Sequence, residues 1–126
     1  MLAKDIMTTQ VMTVEPTTTI REAIKLLVGL EISGLIVLDT HGDIIGVVTE
    51  RDLIVAHDFL KELKAPIKDY MNTHLISVTE STPVEEISRL LIQGDIRRVP
   101  VVNGKKVVGV ISRRNILKAI LKMHDK

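Results

Sequence analysis

The stretch Gly46-Val47-Val48-Thr49-Glu50-Arg51-Asp52-Leu53-Ile54 returns farther along the chain as Gly109-Val110-Ile111-Ser112-Arg113-Arg114-Asn115-Ile116-Leu117. Each copy is a Gly, two β-branched residues, a hydroxyl residue, two positions rich in Arg, a small Asp or Asn, and an apolar restart. That order describes a strand running into the first turn of a helix. A hydroxyl at such a junction can accept from the helix's free N–H groups. The same N–H groups, at the positive end of the helix dipole, can receive a phosphate. The junction is therefore a cap or an anion site.

Working outward, the whole chain is doubled. Lys4-Asp5-Ile6-Met7 is matched 64 positions later by Ile67-Lys68-Asp69-Tyr70-Met71, and the extended lead Val11-Met12-Thr13-Val14 by Leu75-Ile76-Ser77-Val78. The Thr-rich run from Glu15 to Thr19 introduces a helix whose Ile20, Ala23, Ile24, Leu27 and Val28 keep to one face. In the second copy Thr82-Pro83-Val84-Glu85 offers a hydroxyl at the N-cap, Pro at the first helical position and Glu at the third. Val84, Ile87 and Leu91 continue its apolar stripe, and Gly94 is placed to end the helix in a left-handed conformation. Leu35 to Leu38 and Val99 to Val102 are buried-strand runs. A hairpin follows each: Asn103-Gly104 predicts a two-residue turn, whereas Asp39 to Asp43 is longer. One extra residue there lowers the repeat offset to 63 by the signature turn, and a hairpin tip tolerates such an insertion. The return strands, Ile44 to Val48 and Val107 to Ile111, lead into closing helices, and His57 to Pro66 contains the linker.

Composition bounds the rest. With 126 residues, 45% of them hydrophobic, the chain is one compact unit or two very small ones. Lys and Arg number 17 against 16 Asp and Glu, so no global charge draws it to nucleic acid or an anionic membrane. It has no Cys, hence no disulfide, thiolate catalysis or cysteine-ligated metal. No signal peptide or long apolar span is visible, so a soluble cytoplasmic protein is expected. One Tyr, one Phe and no Trp give no stacking platform for single-stranded nucleic acid. His41, His57, His74 and His124 share no helical spacing, so no metal site is expected. Neither a nucleophile–base pair nor a Gly-rich phosphate loop is present, and no enzyme activity or cofactor is expected.

The repeated β-α-β-β-α order, the Val14 and Val78 leads, the Arg98-Val99-Pro100-Val101-Val102 run and the Gly-Val-Val-Thr-Glu-Arg-Asp turn together resemble a tandem pair of cystathionine β-synthase (CBS) domains, a Bateman module. The resemblance runs from about Lys4 to Lys122 and divides the chain into repeats at 1–60 and 61–126. It implies an α+β fold of two repeats related by a pseudo-twofold axis, their sheets packed face to face. It also implies a regulatory module without a catalytic domain, which binds an adenosine-containing ligand of the AMP, ADP or ATP class and signals to a regulated protein. An S-adenosylmethionine-type ligand and a ligand-free dimerisation scaffold are the alternatives.

The family's hydroxyl-x-x-Asp turn binds ribose and phosphate. Carried over, Asp52 takes the ribose hydroxyls, Thr49 approaches the phosphate, and Arg51 lies beside them. A vicinal diol offers two donors, which one carboxylate can accept. The resemblance further places Leu75, Ile76, Ile96 and Arg97 with Val47 around the adenine, in a cleft between the repeats, and gives Arg97 and Arg98 to the phosphate. Its pseudo-symmetric site takes Met12, Ile32, Ser33 and Gly34 with Val110, Ser112 and Asn115. Asn115 departs from the family's Asp, so this site is expected to be the weaker and Asn115→Asp to strengthen it. Arg51, Arg113 and Arg114 stand against the dipole at helix starts and call for an anion nearby. Apolar positions around Leu26, Leu30, Leu53, Ile54, Leu117 and Ile120 are either core or the surface of a homodimer.

Overall fold

The computed structural model describes residues 1–125. In chain order they form α1 (Ala3–Ile6), β1 (Thr13–Val14), α2 (Ile20–Leu30), β2 (Gly34–Leu38), β3 (Ile44–Thr49), α3 (Glu50–Leu60), a 3-10 turn at Ile67–Asp69, α4 (Val84–Gln93), β4 (Arg98–Asn103), β5 (Lys106–Ser112) and α5 (Arg113–His124). They group as two compact units, one spanning Met12–Leu75, the other joining Met1–Val11 to the chain from Ile76 onward. The compact units thus cut across the 1–60 and 61–126 repeats: the opening of each repeat packs with the other repeat's body.

In the Met12–Leu75 unit β1, β2 and β3 form a sheet in that order, β1 parallel and β3 antiparallel to β2. Helices α2 and α3 bury Ile20, Ala23, Leu27, Leu53 and Ala56 with the strand residues Leu35, Val37 and Val48. Thr19 caps α2, its Oγ1 accepting from Glu22 N–H at 3.1 Å. Two further N–H groups at that helix start donate to the segment after α3: Ile20 to Ala65 O at 3.0 Å and Arg21 to Leu63 O at 3.1 Å. The supposed linker is therefore shorter than His57 to Pro66, because α3 runs to Leu60 and residues 63–67 belong to the unit's own framework.

The other unit repeats this plan with less sheet. Strands β4 and β5 pair antiparallel, and the lead is reduced to one parallel bridge, Val78 with Val101. Pro100 explains the shortening. It stands where Ile36 stands in the first copy, and extending the ladder by one pair needs an N–H at that position, which proline lacks. Val78 bonds around it, donating to Pro100 O at 3.0 Å and accepting from Val102 N at 2.8 Å. Residues 1–11 complete the unit: Ala3 is fully buried in a core with Ile87, Leu91, Val99, Val101 and Ile111.

Three local expectations are corrected. Thr82 does not cap α4; its Oγ1 accepts from Thr79 N–H at 3.0 Å, and the first helical N–H, that of Val84, donates to Met1 O at 3.0 Å. Gly94 is right-handed (φ −80°), and the left-handed residue is Asp95 (φ 50°), as Glu31 (φ 55°) is after α2. The second hairpin turns at Gly104-Lys105, one residue later than expected, because Asn103 still pairs with Lys106. Val28 of the α2 stripe also faces outward, and of the positions left open between core and surface Leu53 is buried while Leu30, Ile54, Leu117 and Ile120 are exposed.

Candidate functional site

In both copies the signature turn is a completed capping box. Thr49 Oγ1 accepts from Asp52 N–H at 3.3 Å, while Asp52 Oδ2 accepts from Thr49 N–H at 2.8 Å and from the Thr49 hydroxyl at 3.0 Å. Glu50 N–H donates to Ser33 O at 3.1 Å. Of the first three N–H groups of α3, two are thus taken inside the protein. The turn is a cap first. Thr49 has committed its only proton to Asp52, so its approach to a phosphate is confined to accepting. Asp52 is half-buried, and its Oδ1 accepts from no donor among the described residues. One carboxylate oxygen holds the helix, and the other is open.

The second turn uses the same geometry to a different end. Asn115 Oδ1 accepts from Ser112 N–H at 2.8 Å and from the Ser112 hydroxyl at 2.7 Å. Its Nδ2 donates to Ile6 O at 2.9 Å and to Thr8 Oγ1 at 3.2 Å. The orientation is unambiguous, because a backbone N–H can only donate and a backbone carbonyl can only accept. Asn115 is therefore the tie that holds residues 6–8 to α5, reinforced by Thr8 and Val110, which exchange both backbone hydrogen bonds at 2.9 Å. Its oxygen and its amino group are both in use. In the first copy Val47 exchanges the matching pair with Asn72, at 3.0 and 2.8 Å, but Asp52 cannot donate and makes no such tie.

The expected site residues fall into two sets. Met12, Ile32, Ser33, Gly34, Val47, Thr49, Arg51, Asp52 and Leu75 lie in one unit; Ile76, Ile96, Arg97, Arg98, Val110, Ser112 and Asn115 lie in the other. Within the first, β2 brings Gly34 opposite Thr49, so Ser33 and Gly34 stand beside the Asp52 turn. Within the second, Arg98 pairs with Ser112, and Arg97 O accepts from Arg113 N–H at 3.2 Å. The resemblance had joined these neighbours the other way, Arg97 and Arg98 with Asp52, and Ser33 and Gly34 with Asn115. Met12 and Ile76 are exposed at 40% and 41%, while Ile32 and Ile96 are half-buried and pack against their cores.

The arginines divide by partner. Arg113 is structural: its Nε donates to Ile96 O at 3.2 Å, and one Nη approaches Leu91 O at 3.4 Å and Asp95 Oδ1 at 3.5 Å. The anion expected near this helix start is thus the carbonyl end of α4 with Asp95. Arg51 and Arg114 are exposed. Arg98 differs from all of them. It is half-buried on β4, its Nε has no partner, and burial lowers its pKa from the usual guanidinium range. Ile6, Thr8 and Asn72, which frame the two turns, were not singled out from the sequence, although the repeated Met7 and Met71 marked their neighbourhood. Among the described residues no group of His, Asp and Glu could hold a metal ion.

Two copies of a strand–cap–helix turn, each flanked by a lead segment from beyond its own repeat, match one family model twice, the CBS domain, over residues 3–58 and 67–122. The chain belongs to the CBS-domain family. The CBS domain-containing protein YhcV of Bacillus subtilis is 34% identical over 110 residues, 86% of this chain and 78% of YhcV. Among solved structures, CBSX2 of Arabidopsis thaliana in complex with AMP superposes with a TM-score of 0.88 at 32% identity, covering 97% of each chain. The CBS domain pair of protein MJ0100, in complex with 5′-methylthioadenosine and S-adenosyl-L-methionine, gives 0.84 at 27% identity and 98% of each. No described helix of this CBS pair is long and apolar enough to cross a membrane.

Proposed function

We propose that this CBS pair is a regulatory sensor of an adenosine nucleotide, binding one per chain at the Asp52 turn and passing a conformational change to a regulated protein without chemical turnover. The observation that carries this reading is the difference between the two turns. Asp52 Oδ1 is open to a ribose diol, whereas Asn115 has neither oxygen nor amide proton to spare. Val47, Ser33 and Gly34 border the Asp52 turn, and Leu75 ends the same unit. The AMP held by CBSX2 supports the ligand class. S-adenosylmethionine, held by the MJ0100 pair, is the second reading.

Asn115 shows that an amide oxygen sustains the capping box, so Asp52→Asn removes the carboxylate and leaves the helix start intact. Losing a hydrogen bond to a charged group costs roughly 1.5 to 3 kcal/mol, about 10- to 100-fold in affinity. A thermal-shift screen with AMP, ADP, ATP, NAD and S-adenosylmethionine tests the assignment. Parent protein is expected to gain stability with the AMP series, and Asp52→Asn to melt at the parent's temperature but lose that gain. Equal shifts in both proteins would remove Asp52 from the site. We also assign the exposed apolar positions of the closing helices to a homodimer.

A further inference from the structure

Two of the five methionines are seated unlike the others. Met1, Met12 and Met123 are exposed. Met7 and Met71, matched across the repeats, are half-buried and pack against the cores of their own units. Each of these two sulfurs lies on the glycine that opens a signature stretch. A Cβ added to Gly46 would stand 2.6 Å from Met71 Sδ, and one added to Gly109 would stand 2.7 Å from Met7 Sδ, so each thioether fills the space that a side chain would need. Beside each contact a pair of backbone hydrogen bonds completes the join, Thr8 with Val110 and Asn72 with Val47. The joins reach the two turns, because Asn115 donates to Ile6 O and Thr8 Oγ1, and Val47 lies on the strand that ends at Thr49.

From this seating we propose that Met7 and Met71 are oxidation-sensitive latches: peroxide converts each thioether to a sulfoxide, which releases the opening segment from the strand it clasps. The sulfur attacks one peroxide oxygen and the O–O bond breaks. That oxygen stays on sulfur, the other leaves as water with both protons, and the two electrons lost by sulfur are gained by the peroxide. The product is bulkier and strongly polar, in a place shaped for neither. On one side it meets apolar core residues, on the other the backbone of Gly46 or Gly109, which is fixed inside a paired strand. The opening segment, joined there by two backbone hydrogen bonds, is the part that gives way. With no cysteine in the chain, methionine is its only redox-active sulfur. A dithiol-dependent reductase reverses the step, since sulfoxide and dithiol give thioether, disulfide and water.

Graded hydrogen peroxide on the full chain tests this, with peptide mass spectrometry to locate sulfoxide and hydrogen exchange to follow the segments. The exposed Met1, Met12 and Met123 are expected to oxidise first, with exchange unchanged. Conversion of Met7 and Met71 is then expected to speed exchange of the Thr8, Val110, Val47 and Asn72 amides about 5- to 150-fold, and methionine sulfoxide reductases to restore it. A variant carrying Met7→Leu and Met71→Leu keeps the apolar volume without the sulfur. It is expected to hold its protection through the same treatment. Met7 and Met71 still reduced in the folded chain once the exposed methionines are fully oxidised would overturn the proposal. So would unchanged exchange after both have become sulfoxides, or equal loss of protection in the leucine variant. Should that variant not fold, the parent's dose series decides, because chains oxidised only at the exposed methionines serve as its control.

Discussion

Asp52 and Asn115 occupy the same position in two copies of one turn, and one atom separates their roles. The carboxylate caps α3 with Oδ2 and keeps Oδ1 open; the amide caps α5 with its oxygen and spends its NH₂ on Ile6 O and Thr8 Oγ1. The expectation that Asn115→Asp would build a stronger second nucleotide site therefore needs revision. A carboxylate there would face the Ile6 carbonyl, acceptor against acceptor, and release the N-terminal segment. Leaving a half-buried acceptor unsatisfied costs about 1 to 3 kcal/mol, so urea unfolding of Asn115→Asp is expected to show that loss with no gain in AMP binding. Unchanged stability with a second bound AMP would restore the symmetric reading. Glycines sort in the same way. A Cβ on Gly109 would lie 2.7 Å from Met7 Sδ and 3.0 Å from the Thr8 carbonyl, whereas one on Gly29 meets nothing within 4 Å. Gly109→Ala is expected to cost about 1 to 3 kcal/mol. Gly29→Ala, in the last turn of α2, is expected to add about 0.4 to 1 kcal/mol by narrowing the unfolded chain, by the same denaturation measurement.

Elements were legible in the sequence wherever a local signal had no competitor. Thr19, Thr49 and Ser112 cap the helices they precede, and the strand runs and the shifted repeat offset stand as read. The misreading at Thr82 has a distant cause, a group from far along the chain reaching the local donor first. The N–H of Val84 is taken by Met1 O, so Thr82 turns back to Thr79. Pro100 was legible as part of a buried run, yet its missing N–H, which shortens the lead strand, matters only once the parallel neighbour is known. Pro100→Ile restores that donor. It is expected to slow hydrogen exchange of the Val78 amide by strengthening the ladder on either side of it, and faster exchange would show that the proline ring itself holds the edge. Of the candidate site, the sequence named Asp52 and Asn115 and their unlike hydrogen-bonding capacity, whereas the strand neighbours of each turn, Gly34 against Thr49 and Arg98 against Ser112, come from a register that no local signal encodes.

At the scale of the molecule each repeat's opening segment serves the other repeat's body, so sequence repeats and folding units differ. Deleting residues 1–11 removes buried Ala3, the Met1 partner of Val84 and the Asn115 tie together. Amides of α4, β4, β5 and α5 are then expected to lose exchange protection while those of Met12–Leu75 keep most of theirs; uniform loss would mean that the two units unfold as one. In the function proposed here the two turns of this CBS pair have diverged, that of Asp52 to hold a ligand, while Asn115 holds the chain's own N-terminal segment. Isothermal calorimetry of AMP with the parent chain and with Asp52→Asn tests that claim most directly. The expected result is one nucleotide per parent chain and affinity lowered about 10- to 100-fold in a variant that melts as the parent does. Two equivalent sites in the parent, or undiminished binding to Asp52→Asn, would contradict it.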